Sequence, residues 1–251
     1  MEQALFIVDP DAIPVGDWSR IYFGSEFCCW TFPDSSHIEK ALAVARKTNR
    51  HFSLVTPVLS EPFIPILRTT LEQVLPQLQA EDEVILSDLG TLRLLDQLGA
   101  ETTRVIGRVL SGQKRGPRIL GLDLKPSEAA YFQRGSWYQD EAAAFLAEHA
   151  VSRVELDNLL QGIAPLPKQL KGTLHFPWAM VASSRNCPLR EPGRTGPCSG
   201  GCGEVMKLTT PETPIPLFQA GNSQFLRNDI LPGNLAESGV DRTVEHVVLP
   251  R

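Results

Sequence analysis

Cysteine, methionine and tyrosine are scarce in this chain, at five, three and three of 251 residues, and aromatic residues reach only 7%. No segment approaches the roughly 20 consecutive apolar residues of a membrane-spanning helix, so no membrane span is expected. The opening Met1 to Asp9 has no basic region, and its short apolar stretch runs straight into acid, so no secretory signal is expected either. The charge balance is nearly even, with a formal net charge of -5, which gives no reason to expect nucleic acid without excluding it. Internal repeats and low-complexity tracts are missing, as are a His-Glu-x-x-His metalloprotease run and a Gly-x-Ser-x-Gly nucleophile elbow. The chain reads as cytosolic, where thiols stay reduced and grouped cysteines more often bind metal than form disulfides.

What is present is a concentration of those few cysteines. Cys187, Cys198 and Cys202 fall within sixteen residues, separated by gaps of ten and three that are rich in Gly and Pro, and the other two are adjacent at Cys28 and Cys29. Glycine lets backbone wrap closely around a compact centre, and four thiolates are what zinc or an iron-sulfur cluster needs. Structural zinc favours paired cysteines two to four residues apart, and only Cys198 with Cys202 fits such a knuckle. A cluster wedged between loops accounts better for a lone ligand from the far end of the chain. Redox thiols and unrelated buried cysteines are the remaining readings.

With 42% hydrophobic residues the chain can bury a sizeable core. Strands are expected at Leu5–Val8, Arg20–Phe23, His51–Thr56, Glu83–Ser87, Arg104–Arg108, Val151–Glu155, Gly172–Phe176 and Arg242–Val248. Helical periodicity marks His37–Lys47, Ile64–Gln79, Thr91–Leu98 and Gln139–His149. Strands separated by helices favour a parallel sheet, and eight of them in a chain this long suggest an α/β fold, a (β/α)8 TIM-barrel-like domain over 1–251. The connection after the first strand is too short for a crossover helix, so the barrel should be degraded on its N-terminal side. Ile119–Leu122 reads as an added strand or a loop, and the stretch after Cys202 as hairpin material. Cys28 and Cys187 both follow C-terminal strand ends, which in a barrel gather at one rim, so residues about 160 positions apart can meet there.

Ile21-Tyr-Phe-Gly24-Ser-Glu-Phe-Cys28, Leu86-Ser-Asp88-Leu-Gly90, Arg153-Val-Glu155-Leu156 and the run from Leu174 through His175 to Cys187, followed by Cys198 and Cys202, occur in an order that resembles the bacterial collagenase-like peptidase family U32. Phe218–Asn222 and Gly239–Arg242 look like that family's later strands. Within the family the chain is most similar to the small ubiquinone-biosynthesis accessory proteins. That resemblance implies a [4Fe-4S] cluster on a loop over 185–203, ligated by Cys28, Cys187, Cys198 and Cys202, with Cys29 left over as a buried hydrophobe or an alternative to Cys28. It also implies a component of an oxygen-independent hydroxylation system acting on a small molecule and paired with a related U32 protein as a heterodimer. Related members hydroxylate RNA bases, and the family name implies proteolysis, for which the chain offers little machinery. A non-catalytic role, in electron transfer or in bracing the loops, is the alternative.

Substrate contacts at the same rim would fall to Asp88, Arg108 and Glu155, and proton transfer to His175, the one histidine that ends a strand near the cysteine loop. Each has a plainer reading. Asp88 also fits the N-cap of the helix near Thr91, Arg108 and Glu155 can pair with each other or with neighbours, and His175 can be a hydrogen-bonded core residue. The basic clusters at Lys114, Arg115 and Arg118, and at Arg185, Arg190 and Arg194, read as solvated surface or as a means of positioning an anionic substrate.

Overall fold

A computed structural model describes residues 1–191 and 196–250. Arg194 lies outside the described residues. In chain order the elements are β1 (Glu2–Phe6), β2 (Arg20–Gly24), α1 (Ser35–Lys47), β3 (His51–Thr56), α2 (Ile64–Val74), β4 (Glu83–Leu86), α3 (Leu89–Gln97), β5 (Thr103–Ile106), α4 (Pro126–Phe132), α5 (Asp140–Glu148), β6 (Arg153–Asp157) and β7 (Lys171–Phe176). They continue with β8 (Trp178–Ser183), β9 (Met206–Thr210), β10 (Thr213–Ala220), β11 (Ser223–Arg227) and β12 (Val240–His246).

All eight strands expected from the sequence form a closed parallel barrel in the order β1-β12-β7-β6-β5-β4-β3-β2. Short apolar runs such as Phe52 to Val55 and Val84 to Leu86 are buried on both sides, as strands sheathed by helices require. Their outward residues, Leu54, Leu86 and Leu174 among them, pack on Ile38, Leu42, Leu67, Leu71 and Leu95 of the helices. Each such side chain contributes about 1.5–3 kcal/mol by leaving water. The expected thin side is present, since the described residues between β1 and β2 hold no helix, and the same is true between β6 and β7. The barrel nevertheless closes there, through the parallel pairing of β1 with both β2 and β12.

Two expectations change. The helix expected over Ile64–Gln79 ends at Val74 and continues as a single tighter turn, Leu75–Gln77, because Pro76 has no N–H to extend the ladder. Ile119–Leu122 is neither strand nor plain loop, since Pro117–Gly121 forms a 3₁₀ turn. The hairpin material after Cys202 becomes β9 to β11, which join β8 in a four-stranded antiparallel sheet of order β8-β11-β10-β9. That sheet is inserted between β7 and β12, at the mouth of the barrel.

Inside the barrel the strand alternation stacks side chains in layers. At the N-terminal end Glu2 and Glu83 are matched by Arg20 and Arg242. Arg242 grips Glu83 through two bonds of 2.7 and 3.0 Å and Glu2 through one of 2.6 Å, and Arg20 holds Glu2 at 2.7 Å. Two acids against two arginines close the floor with balanced charge. Ala4, Phe6, Tyr22, Val55, Ile85, Val105 and Val244 fill the layer above.

Candidate functional site

The loop after β2 and the loops after β8 and β10 meet at the C-terminal mouth. Asn222, in the β10–β11 turn, fastens them, since its side-chain amide donates to the carbonyl oxygens of Phe27 and Ser184, each at 2.8 Å. One donor group therefore straps the segment that carries Cys28 to the one that leads to Cys187. Arg185 adds a second tie, donating to the Leu59 carbonyl at 2.8 Å and to Asp88 at 3.0 Å.

Cys28, Cys187, Cys198 and Cys202 all line one recess, together with Trp30, Thr31, Gly200, Gly201, Gly221 and Asn222. The sequence expectation that thiols about 160 positions apart can share a rim matches this placement. Gly221 borders the recess beside the Cys202 sulfur at φ +57, a backbone conformation that glycine adopts without strain. The backbone N–H groups of Trp30 and Thr31 donate toward the Cys28 sulfur, the type of contact that tunes a thiolate-held cluster. Burial nonetheless pushes the Cys28 thiol above its ordinary value, with Cys29 and Cys202 nearby adding to the rise. Among the described residues no three cysteine sulfurs lie within 4.8 Å of one another. Four thiols around one recess, at Cys28, Cys187, Cys198 and Cys202, are a donor set of the kind that a thiolate-held metal centre uses. Cys29 turns away into the hydrophobic core, 3.2 Å from the Ser60 hydroxyl, and takes no part in the recess.

Beside the recess lies a cavity of about 510 Å³, within the range of small-molecule sites. Thr31, Gly200 and Cys202 belong to both, so the two share a wall. Phe6, Val8, Phe23, Val205 and Leu249 make much of the cavity apolar, and Glu26, His246 and the Cys202 thiol are titratable groups on its lining.

Beneath that lining the remaining candidates separate. Arg108 is fully buried and forms a clamp, donating to both Glu26 oxygens at 2.8 and 2.6 Å, to Asp157 at 3.0 Å and to the Trp178 carbonyl at 2.8 Å. It does not pair with Glu155, and it does not line the cavity. Asp157 also holds Arg115 at 3.0 Å and accepts the Met180 N–H at 2.9 Å. Burial raises the Asp157 carboxyl, but Arg115 and Arg108 outweigh it and keep the group below its usual range. Arg115 therefore belongs to the interior instead of the solvated surface. Asp88 takes its plainer reading, capping α3 by accepting the Gly90 N–H at 2.8 Å and also the Leu59 N–H at 3.1 Å. His175 and Glu155 are brought together inside the barrel, with His175 Nε2 3.0 Å from Glu155 Oε2 but not aligned as a hydrogen bond. On its other side His175 Nδ1 lies 2.8 Å from His246 Nε2. Burial, with Arg108 and His175 close by, lowers His246 well below the usual histidine range, so its imidazole is neutral at pH 7.

Glu26, Asp157 and His246 escaped the sequence reading. The available signal was the strand period of two, since Asp157 shares the inward face of β6 with Glu155, and His246 that of β12 with Val244. Glu26 lies just past β2, where periodicity no longer applies.

No protein-family model matches the chain, and no curated protein matches it. Among solved structures, that of the U32 peptidase Mk0906 aligns over 100% of this chain and 94% of its own, at 11% sequence identity and a TM-score of 0.47.

Proposed function

We propose that the chain is an iron-sulfur protein that carries a [4Fe-4S] cluster on Cys28, Cys187, Cys198 and Cys202 and serves in oxygen-independent hydroxylation of a small, largely apolar molecule, alongside a related U32-type partner. The observation that carries this reading is the shared wall, in which four thiols line one recess and Cys202 and Gly200 also border a 510 Å³ cavity. A bound cluster would supply or accept single electrons next to whatever occupies that cavity. The chain's own residues bind and exclude water. Phe6, Phe23 and Leu249 offer apolar contact, and Glu26 and His246 offer polar contacts that would orient the ligand.

Anaerobic purification followed by absorption spectroscopy and iron and sulfide assays tests the cofactor. Iron and sulfide in equal amounts are expected, with a visible absorption that dithionite bleaches and that Cys202→Ser abolishes. Bound zinc without visible absorption would overturn it. For the reaction, a strain lacking the protein is expected to lose anoxic ring hydroxylation of its quinone and to regain it with the wild type but not with Cys202→Ser. Unchanged quinone in that strain would remove the hydroxylation assignment and leave the cluster standing.

A further inference from the structure

The floor of the cavity holds a second set of ligand-type atoms, separate from the thiols. Glu26, His175 and His246 each present one such atom within 4.8 Å of the others, and all three side chains are buried. They come from three places that the barrel fixes, the loop after β2 and the adjacent parallel strands β7 and β12. His175 Nδ1 and His246 Nε2 share a hydrogen bond of 2.8 Å, and an ion in place of the shared proton needs little movement, since two imidazoles in neighbouring positions around one ion lie about 3 Å apart with metal–nitrogen bonds of about 2.1 Å.

What surrounds the trio is what supports ligands elsewhere. Ligating histidines donate their second N–H to a carboxylate, and Glu155 lies within 3.0 Å of His175 Nε2, near enough for that role once the two are aligned. Arg108 fixes the Glu26 carboxylate through both oxygens, and each oxygen keeps a further lone pair. The charge count points the same way. Three buried acids, Glu26, Glu155 and Asp157, face two guanidinium groups, Arg108 and Arg115, and both of those are spent on Glu26 and Asp157. Glu155 is fully buried and neither of its oxygens has a hydrogen-bond partner. A buried carboxyl group without hydrogen bonds is costly to hold in so dry a place. A cation held by the imidazoles beside it offsets that cost.

We propose that Glu26, His175 and His246 bind a single divalent first-row transition ion, of the class that two histidines and one carboxylate select, with its remaining positions open to the cavity. Iron(II) is the physiological ion such a donor set favours. Glu155 is a positioning residue that orients His175. This site stands independently of the cluster, although the two would border the same ligand.

The full chain, purified anaerobically and stripped with a chelator, is titrated with cobalt(II) by equilibrium dialysis and visible spectroscopy. The Cys28→Ser and Cys202→Ser variants are run alongside, because they disable the thiolate recess while leaving the histidines intact. One cobalt per chain is expected in those variants, with ligand-field bands and without the strong sulfur charge-transfer absorption. His246→Gln should lose the ion, and Glu155→Gln should weaken binding about 10–100-fold, as loss of an outer carboxylate does. Circular dichroism of His246→Gln confirms folding. Should it be unfolded, Glu26→Gln, which removes a ligand without emptying space, replaces it. Cobalt bound equally well by the ligand variants, or no cobalt in the cysteine variants, would overturn the site. So would a charged His175 imidazolium at neutral pH in the metal-free protein with no response to cobalt, because a proton would then supply the missing charge. None of these results alters the iron and sulfide assay, so the two assignments fail separately.

Discussion

Replacing Arg108 by Met is the sharpest test of how the barrel mouth is held. The side chain is fully buried and makes four hydrogen bonds, two to Glu26, one to Asp157 and one to the Trp178 carbonyl. Methionine fills much of the same volume, so cavity formation is minor and the cost comes from stranded charge. Asp157 keeps Arg115 and the Met180 N–H, whereas the Glu26 carboxylate loses its recorded hydrogen-bond donors. Removing one partner of a buried ion pair costs about 3–5 kcal/mol. At about 2–4 °C per kcal/mol for a chain of this size, Tm should fall by about 6–20 °C. Thermal and urea unfolding of wild type, Arg108→Met, Glu26→Gln and the double variant close the cycle. If stranded charge is the cause, Arg108→Met with Glu26→Gln recovers at least half of the loss, because a neutral amide is far cheaper to bury. A loss below about 1 kcal/mol in the single variant, or a double variant no more stable than the single, would refute the clamp.

The remaining predictions concern the thiols, the acid limit and the backbone beside the site. Cys29→Ser should leave the cluster's absorption intact while lowering Tm, because that sulfur sits in the core; if absorption vanishes instead, Cys29 is a ligand. Burial raises the Asp82 carboxyl, but Arg46 and the backbone N–H groups of Gln79 and Phe52 outweigh it, so its folded-state pKa is depressed. Its stabilisation is therefore complete above the unfolded value of about 3.9 and disappears as pH falls through the folded one. Asp82→Asn should cost about 2–3 kcal/mol at pH 7 and converge with wild type in strong acid, and parallel unfolding curves across pH would contradict this. Gly24, at φ +141, would place a Cβ 2.0 Å from the Val55 carbonyl oxygen, so Gly24→Ala should lower stability by at least about 2 kcal/mol in urea unfolding and loosen the Cys28 loop. An unchanged midpoint would mean that β2 and β3 can separate freely.

The barrel was legible because its signal is local. Runs such as Phe52–Val55 and Val84–Leu86 are largely apolar by their own composition, and Pro57 and Gly90 follow them where the chain leaves the strand. Even the missing first helix was visible, as a connection too short to hold one. What stayed hidden depended on pairing across the barrel. β8 follows β7 after a single residue, Pro177, and is recognisable as a strand only through its partner β11. Glu26 and Asp157 look like ordinary solvated charges in sequence, and the partners of Arg108 stay hidden with them, because nothing local says that the three converge. The cysteines were the opposite case, since thiols this rare and this grouped point to a site whatever the fold. Their position past strand ends also placed them on the rim. That same strand-end geometry governs Glu26 and His246, which are neither rare nor grouped. Closing a sheet into a barrel brings common polar residues at alternate positions into one buried chamber, where a carboxyl group without hydrogen bonds, such as that of Glu155, becomes chemically significant. Specificity of residue type therefore marks one half of this mouth, and specificity of environment the other; only the first can be read without knowing which strands are neighbours.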